Sequence, residues 1–288
     1  MKIAFLVLAH KNPSQLVHLF KMLSHENTGI FLHLDKRVND SEFIVEFEKN
    51  NVIPNFICRD QRIIYSSIRY IYATLKILKE AFDRGYDYFV LISGQDLPVK
   101  PISHIVDFFT ANKDKSFIQY ETIPCSNLGY MGYTRTRFYN FKVFNKMETL
   151  FPWNKIKHKM SWKGEILNTI LWVRNFFKSE RQFPLNMQPY YSSQWWNISR
   201  ESVAYILSFL NDNPKYMRYH KNALHPEEMF FQSILINSSE LKEKIINDNL
   251  RYIKWEKGKK HPELLTEKDL AEAANTIAIF ARKFNLNA

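Results

Sequence analysis

Apolar and polar positions follow two alternating periods through the first hundred residues. Residues 3–9 are a continuous apolar run, the pattern of a strand buried on both faces of a parallel sheet. From Ser14 to Leu23 the apolar positions move to helical spacing, at Leu16, Leu19, Phe20 and Leu23. Residues 30–34 predict a second strand ending at Asp35, residues 41–50 a helix and residues 52–58 an extended segment. Ser67 to Phe82 predict a long amphipathic helix, with Ile68, Ile71, Leu75, Leu78 and Phe82 on one stripe. Tyr88 to Ser93 predict another buried strand, closed by Gly94-Gln95-Asp96-Leu97-Pro98. Strand and helix in this rhythm predict an α/β fold, a mostly parallel central sheet with helices on both faces.

The pattern after residue 110 is less regular. Residues 116–121 predict a strand leading into the basic, aromatic stretch Tyr133-Thr-Arg135-Thr-Arg137-Phe138. Residues 150–190, rich in Trp, Phe and Lys, read as a helical excursion, and a helix is predicted over 201–210. His225-Pro226-Glu227-Glu228 opens a further helix, and a C-terminal helix is predicted from 267 to 283. The chain shows no internal repeat or linker, so one unit over 1–288 is expected. In parallel sheets, ligands bind beyond the carboxyl ends of the strands. The polar residues that end these strands, His10, Asp35, Gln95 and Asp96, are therefore expected along one crevice.

Charge narrows the partners. A formal net charge of +11 favours anionic ones. The Lys and Arg residues form no long block and no nucleic-acid-reading motif, so no nucleic-acid partner is expected. Cys58 and Cys125 have no metal or redox spacing and read as buried, reduced thiols. The opening apolar run is too short for a membrane span and is expected to be a strand, which makes the cytoplasm the default location.

Two stretches can carry chemistry. In Pro226-Glu227-Glu228-Met229-Phe230-Phe231 the acids can cap a helix N-terminus, or one can serve as a base whose pKa is raised by apolar neighbours. In Phe280-Ala281-Arg282-Lys283-Phe284 the cations can complement a helix C-terminus. Fixed beside a crevice, they can instead neutralise a diphosphate much as a metal ion would. No Asp-x-Asp follows the buried strand, where the chain reads Ser93-Gly94-Gln95-Asp96, and the nine histidines form no zinc-like spacing. No metal site is expected. Trp195, Trp196 and Trp255 are candidate sugar platforms, although large aromatics more often belong to the core. Gly-rich phosphate loops and Gly-x-Ser-x-Gly are both missing.

On these residues the chain resembles the core-2/I-branching β-1,6-N-acetylglucosaminyltransferase family, which includes the peptide xylosyltransferases. The likeness runs in order through His10, His33-Leu34-Asp35-Lys36-Arg37, Tyr65-Ser66-Ser67 and Ser93 to Pro98. It continues through Ser193 to Glu201, Pro226-Glu227-Glu228, Lys254-Trp255 and Phe280 to Phe284. The resemblance implies a GT-A-type fold without Asp-x-Asp, acting by inversion and without metal. It implies Glu228 as catalytic base, Asp35 and Tyr65 as nucleoside contacts, and Lys283 as the grip on the diphosphate. It further implies Trp255, Glu121 and Arg135 or Arg137 on the acceptor side; the residues' own pattern adds Trp195 there as a sugar platform, and His10, Gln95, Asp96 and Arg282 on the donor side. Residues 1–110 would then be the nucleotide-binding half and 111–288 the acceptor and catalytic half.

The chain departs from the pattern in places. The second diphosphate-binding Arg has no counterpart in Lys259-Lys260-His261-Pro262, so Arg282, Lys259 or Lys260 is expected to replace it. Ile64 stands where a Trp often precedes the long helix. A bacterial, cytoplasmic member is expected, peripheral at the inner face of the cell membrane through the Lys and Trp of 151–180. It would move GlcNAc or xylose from a UDP-sugar to a hydroxyl of a glycan or lipid-linked glycan, in surface polysaccharide synthesis. Two rival classes remain: a non-catalytic binder of anionic glycan or lipid, and a nucleotide-dependent phosphotransferase. The latter lacks a phosphate loop and paired carboxylates for Mg²⁺.

Overall fold

The computed structural model describes residues 1–143, 146–150, 180–256 and 262–286, together with 166, 169, 170 and 173. The predicted excursion over 150–190 and Lys259 and Lys260 fall wholly or largely outside the described residues. The first half comprises β1 (Ile3–Ala9), α1 (Pro13–Met22), β2 (Thr28–Leu34), α2 (Asp40–Lys49), β3 (Phe56–Cys58), α3 (Arg69–Asp83), β4 (Tyr88–Ser93), β5 (Asp96–Pro98) and α4 (Ile102–Ala111). The second half runs through β6 (Ser116–Phe117), β7 (Glu121–Thr122), α5 (Tyr133–Thr136), β8 (Tyr139–Val143) and β9 (Lys146–Leu150). After them come β10 (Tyr190–Tyr191), β11 (Asn197–Ser199), α6 (Arg200–Asp212), α7 (Pro214–His220) and α8 (Phe230–Ile236). The chain closes with β12 (Ile245–Ile246), β13 (Arg251–Ile253), α9 (Glu267–Ala274) and β14 (Phe280–Arg282).

The main sheet has seven strands in the order β12-β6-β11-β4-β1-β2-β3. β3, β2, β1 and β4 run parallel, and β11 is antiparallel to β4 and β6. Alternate residues of β1 face opposite layers. Ile3, Phe5, Val7 and Ala9 pack with α1, α2 and α4, while Ala4 and Leu6 pack with α3, α6 and α8. Both faces of β1 are thus covered, which is why its sequence is apolar throughout. The expected α/β fold, with a mostly parallel sheet between helical layers, is the one observed.

Register aligns the strand ends. Ala9 pairs with Leu34 and Leu8 with Ser93, so the residues that follow these strands lie abreast. Gly94 allows a close approach there, since a Cβ would come within 3.1 Å of the Ala9 and Leu16 side chains.

Three sequence expectations change. The helix predicted to 283 stops at Ala274, and Phe280–Arg282 form a strand between β5 and β13. Ala278 through Ala281 are all buried, and a surface helix cannot bury four consecutive residues. Arg282 and Lys283 therefore do not complement a helix end. The strand predicted over 116–121 is two short pieces in different sheets. Pro226–Glu228 form a 3₁₀ turn separated from α8 by Met229, so the two acids do not sit on the α-helix itself.

Candidate active site

A cavity of about 310 Å³ opens at the carboxyl ends of β1, β2 and β4. His10, Asp35, Gln95 and Lys283 all reach it, joined by Lys11 and Arg37. Asp35 is buried and accepts hydrogen bonds from Arg37: from Nε at 3.1 Å, from Nη2 at 2.7 Å and from the backbone N–H at 2.9 Å. Burial pushes this carboxyl up, but Arg37 outweighs burial and holds it below the ordinary carboxylate value. The His10 ring is lowered by burial and then by Lys11, which keeps it neutral near pH 7.

The small sheet brings the tail to this cavity. β14 pairs antiparallel with β5, setting Arg282 opposite Asp96, and parallel with β13, setting Ile253 beside Arg282. Gln95 clips the tail in place: its backbone carbonyl accepts from Phe284 N at 2.9 Å, and its side-chain amide donates to Phe284 O at 3.2 Å. Gln15 donates to Gly94 O at 2.9 Å and to Phe284 O at 3.3 Å. Arg282 lies with its guanidinium 4.3 Å over the Trp195 ring and its Nε 3.3 Å from Asp96. Burial lowers Lys283, and the charges of Lys11 and Arg282 lower it further. A half-buried lysine beside two other cations gives this part of the cavity a field that favours anions. Asp96 is fully buried, accepts from Ser93 N at 3.1 Å and reaches neither this cavity nor the next. Its part is to hold Arg282.

A second cavity of about 530 Å³ adjoins the first and shares Tyr65, Gln194, Trp195, Pro262 and Arg282 with it. Glu228, Glu121, Arg135 and Trp255 face this second space. Ser192 N donates to the Glu228 carbonyl at 2.9 Å, and the Glu228 carboxylate is ion-paired with Arg135. The Arg135 guanidinium sits 5.4 Å from the centre of the Tyr191 ring. Tyr191 in turn donates its hydroxyl to Glu121 at 3.0 Å. Glu227 turns inward, 6% exposed, with burial pushing its carboxyl up and His225 Nδ1 3.5 Å away. Trp255 is 59% exposed, an open indole face at the rim.

Tyr65 stands where the cavities meet, its ring edge-on to His225 at 5.2 Å. Burial raises its hydroxyl, and Glu228 and Glu227 raise it further. The junction is built from left-handed backbone at Ser66 (φ 61°) and His225 (φ 47°), joined by a bond from His225 N to Ser66 Oγ at 2.7 Å. Non-glycine residues adopt such φ values rarely, and they cluster at functional sites.

Not every candidate meets at the site. Arg137 lines a separate cavity, 4.3 Å over the Tyr133 ring and 3.8 Å from Glu180. Trp196 is wholly buried against Phe231 and belongs to the core. Trp195 is 7% exposed, and the cation it stacks on is Arg282. Both cysteines are half-buried rather than buried; burial, then Asp60, pushes the Cys58 thiol up to about 12. Sequence reasoning passed over Lys11, Arg37, Gln194, Tyr191 and His225. Each but Tyr191 lies within three residues of a candidate it did select.

Among the described residues, two groups bring three potential metal-ligand atoms within 4.8 Å: His33, Cys58 and Asp60, and His225, Glu227 and Glu228. Sequence spacing shows neither, because β2–β3 register and the 3₁₀ turn assemble them. In the second group the Arg135 guanidinium already occupies Glu228 and would repel a cation.

Comparison with known proteins places this arrangement. The chain is 24% identical over 252 residues to mouse (Mus musculus) xylosyltransferase 2, covering 83% of this chain and 25% of that protein. It is likewise 24% identical over 247 residues to xylosyltransferase sqv-6 of Caenorhabditis briggsae, covering 83% and 27%. It therefore spans about a quarter of the length of the relatives it matches. Among solved structures, S. aureus TarS 1-349 in complex with UDP-GlcNAc overlaps 51% of this chain and 42% of that one, at 13% identity and a TM-score of 0.30, too partial a superposition to argue from. The model of the Core-2/I-Branching enzymes matches residues 3–275, nearly the whole chain although it stops short of Arg282 and Lys283, and the chain belongs to the Core-2/I-Branching enzyme family.

Proposed function

We propose that this protein is an inverting, metal-independent glycosyltransferase that moves a sugar from a UDP-sugar to a hydroxyl of a glycan or lipid-linked glycan. The observation that carries the reading is the opposition of two groups across a shared wall. Lys283 and Arg282 gather positive charge in one cavity, and Glu228 faces the adjoining one. The acceptor oxygen forms a bond to the anomeric carbon as its proton passes to Glu228. The bond from that carbon to the diphosphate oxygen breaks on the opposite side, and its electron pair leaves with UDP. Lys283 and Arg282 offset the charge that develops there, the work a metal ion does in other enzymes. Asp35 with Arg37, and Tyr65, hold the nucleoside; Trp255, Glu121 and Arg135 hold the acceptor sugar. Xylose and GlcNAc are the first donors to test, given the names of the family and of its relatives.

Among the described residues no helix is long and apolar enough to cross a membrane. The reading extends to surface polysaccharide synthesis at the inner face of the membrane, the basic 151–180 stretch lying outside the described residues except at 166, 169, 170 and 173. The test is UDP release and transfer from UDP-GlcNAc, UDP-xylose, UDP-galactose and UDP-glucose, with and without excess EDTA. Full activity in EDTA is expected. Strict Mn²⁺ dependence would overturn the metal-free mechanism, and no turnover of any donor would return the protein to the binder class.

A further inference from the structure

The Arg135–Glu228 ion pair sets a cation where the proposed reaction needs a proton acceptor. Arg135 is no loosely held surface side chain: it is 14% exposed and rests against the Tyr191 ring at 5.4 Å. Its guanidinium cannot give up its charge at any workable pH. While the pair stands, one carboxylate oxygen of Glu228, Oε2, is already taken by the Arg135 guanidinium and is closed to a second donor approaching from that side. The same cavity contains the means to open the pair. Tyr191 joins Arg135 to Glu121: its ring lies against the guanidinium, and its hydroxyl donates to the exposed Glu121 carboxylate, which faces the same cavity. A sugar carries hydroxyls that both donate and accept, so it can donate to Glu121 and accept from Arg135 at once. A water molecule is too small to reach both.

We propose that Arg135 decides between transfer and hydrolysis: it masks Glu228 against water and releases it when a polyhydroxylated acceptor bridges Glu121 and Arg135. The proposal rests on Glu228 being the base. In hydrolysis, water would form the bond to the anomeric carbon and pass its proton to Glu228, while the carbon–diphosphate bond breaks and UDP leaves with the electron pair. The mask raises the barrier to that step. In transfer, the acceptor's own hydroxyls replace the carboxylate as partners of the guanidinium, and Glu228 is freed next to the hydroxyl that attacks. Arg135 is thus a positioning residue acting through Glu228, and an ion pair kept only for stability would not bias the outcome.

The experiment follows UDP release from the four UDP-sugars with no acceptor present, for the full chain and its variants. Arg135→Ala should raise hydrolysis of the accepted donor on the order of tenfold, the scale of one lost charge-assisted contact. Arg135→Lys, which keeps the charge but not the planar fork, should raise hydrolysis less than Arg135→Ala does. The gain should vanish in the double variant Arg135→Ala with Glu228→Gln, and UDP affinity should be unchanged throughout. If Arg135→Ala does not fold, shown by its thermal unfolding, Arg135→Gln preserves most of the packing and takes its place. Unchanged or slower hydrolysis with intact UDP binding overturns the proposal, as does a gain that survives loss of Glu228. Failure of the two readings is separable. A Glu228→Gln protein that still transfers sugar removes the base itself. Lost transfer in that variant, with no gain from Arg135→Ala, removes only the role of Arg135.

Discussion

The two adjoining cavities are built in different ways. The first is framed by strand ends in parallel register: Ala9 beside Leu34 and Leu8 beside Ser93 fix where His10, Asp35 and Gly94 stand. The second is framed by turns and short strands, with Glu228 on a 3₁₀ turn, Glu121 and Tyr191 on the two-stranded β7–β10 ladder, and Arg135 on a single helical turn. On the proposed reading, the regular sheet holds a nucleotide site that any donor of one class can share. Irregular segments, which vary at little cost to the core, hold the site that selects the acceptor. On the proposed reading, nucleotide affinity belongs to one cavity and turnover with acceptor choice to the other.

The largest expected effect lies on the acceptor side. Glu228→Gln should lower kcat by about 10²- to 10⁴-fold, the usual contribution of a general base, and leave UDP affinity as it is. A variant retaining more than about a tenth of wild-type turnover would show that Glu228 is not the base. On the donor side, Lys283→Ala should weaken UDP binding by about ten- to a hundredfold, as loss of a charge-assisted contact does; calorimetry showing unchanged affinity would break the division between the cavities.

The same lysine predicts a pH effect. Burial, Lys11 and Arg282 lower its pKa, so the cation is lost as pH rises through a value below the ordinary 10.5. UDP affinity should be full at neutral pH and should fall on the alkaline side before that point, and Lys283→Arg should abolish this break. The smallest effect belongs to the rim. Trp255→Ala removes an exposed ring, and should raise the acceptor KM by roughly threefold to tenfold, the scale of one aromatic contact, without changing UDP affinity. A comparable loss in donor affinity would mean that Trp255 serves both spaces.

Legibility followed the same division. His10, Asp35 and Gln95 could be placed together from sequence because an apolar run fixes a parallel strand, and parallel strands end on one side. Glu228 read equally well as a helix cap, and the observed 3₁₀ turn supports neither reading by itself. Arg137, two positions from Arg135, was an equal candidate until the fold turned it towards Glu180. Asp96 ends a strand region like the others, yet it is buried beneath Arg282. Nothing in its immediate sequence distinguishes a wall residue from a buried partner.

By itself, then, the sequence determined the alternation of strand and helix, the sheet it builds and the edge at which a ligand binds, since these follow from local period and from the burial of both faces. Only the tertiary structure decided that Phe280–Arg282 is a strand rather than the end of a helix. β14 takes its hydrogen bonds from β5 and β13, about 180 and 30 residues earlier in the chain, and no local pattern records partners so distant. That pairing sets Arg282 on Trp195 and Lys283 in the first cavity. The tertiary structure also decided which arginine meets Glu228, because the angle of a short turn depends on what packs around it.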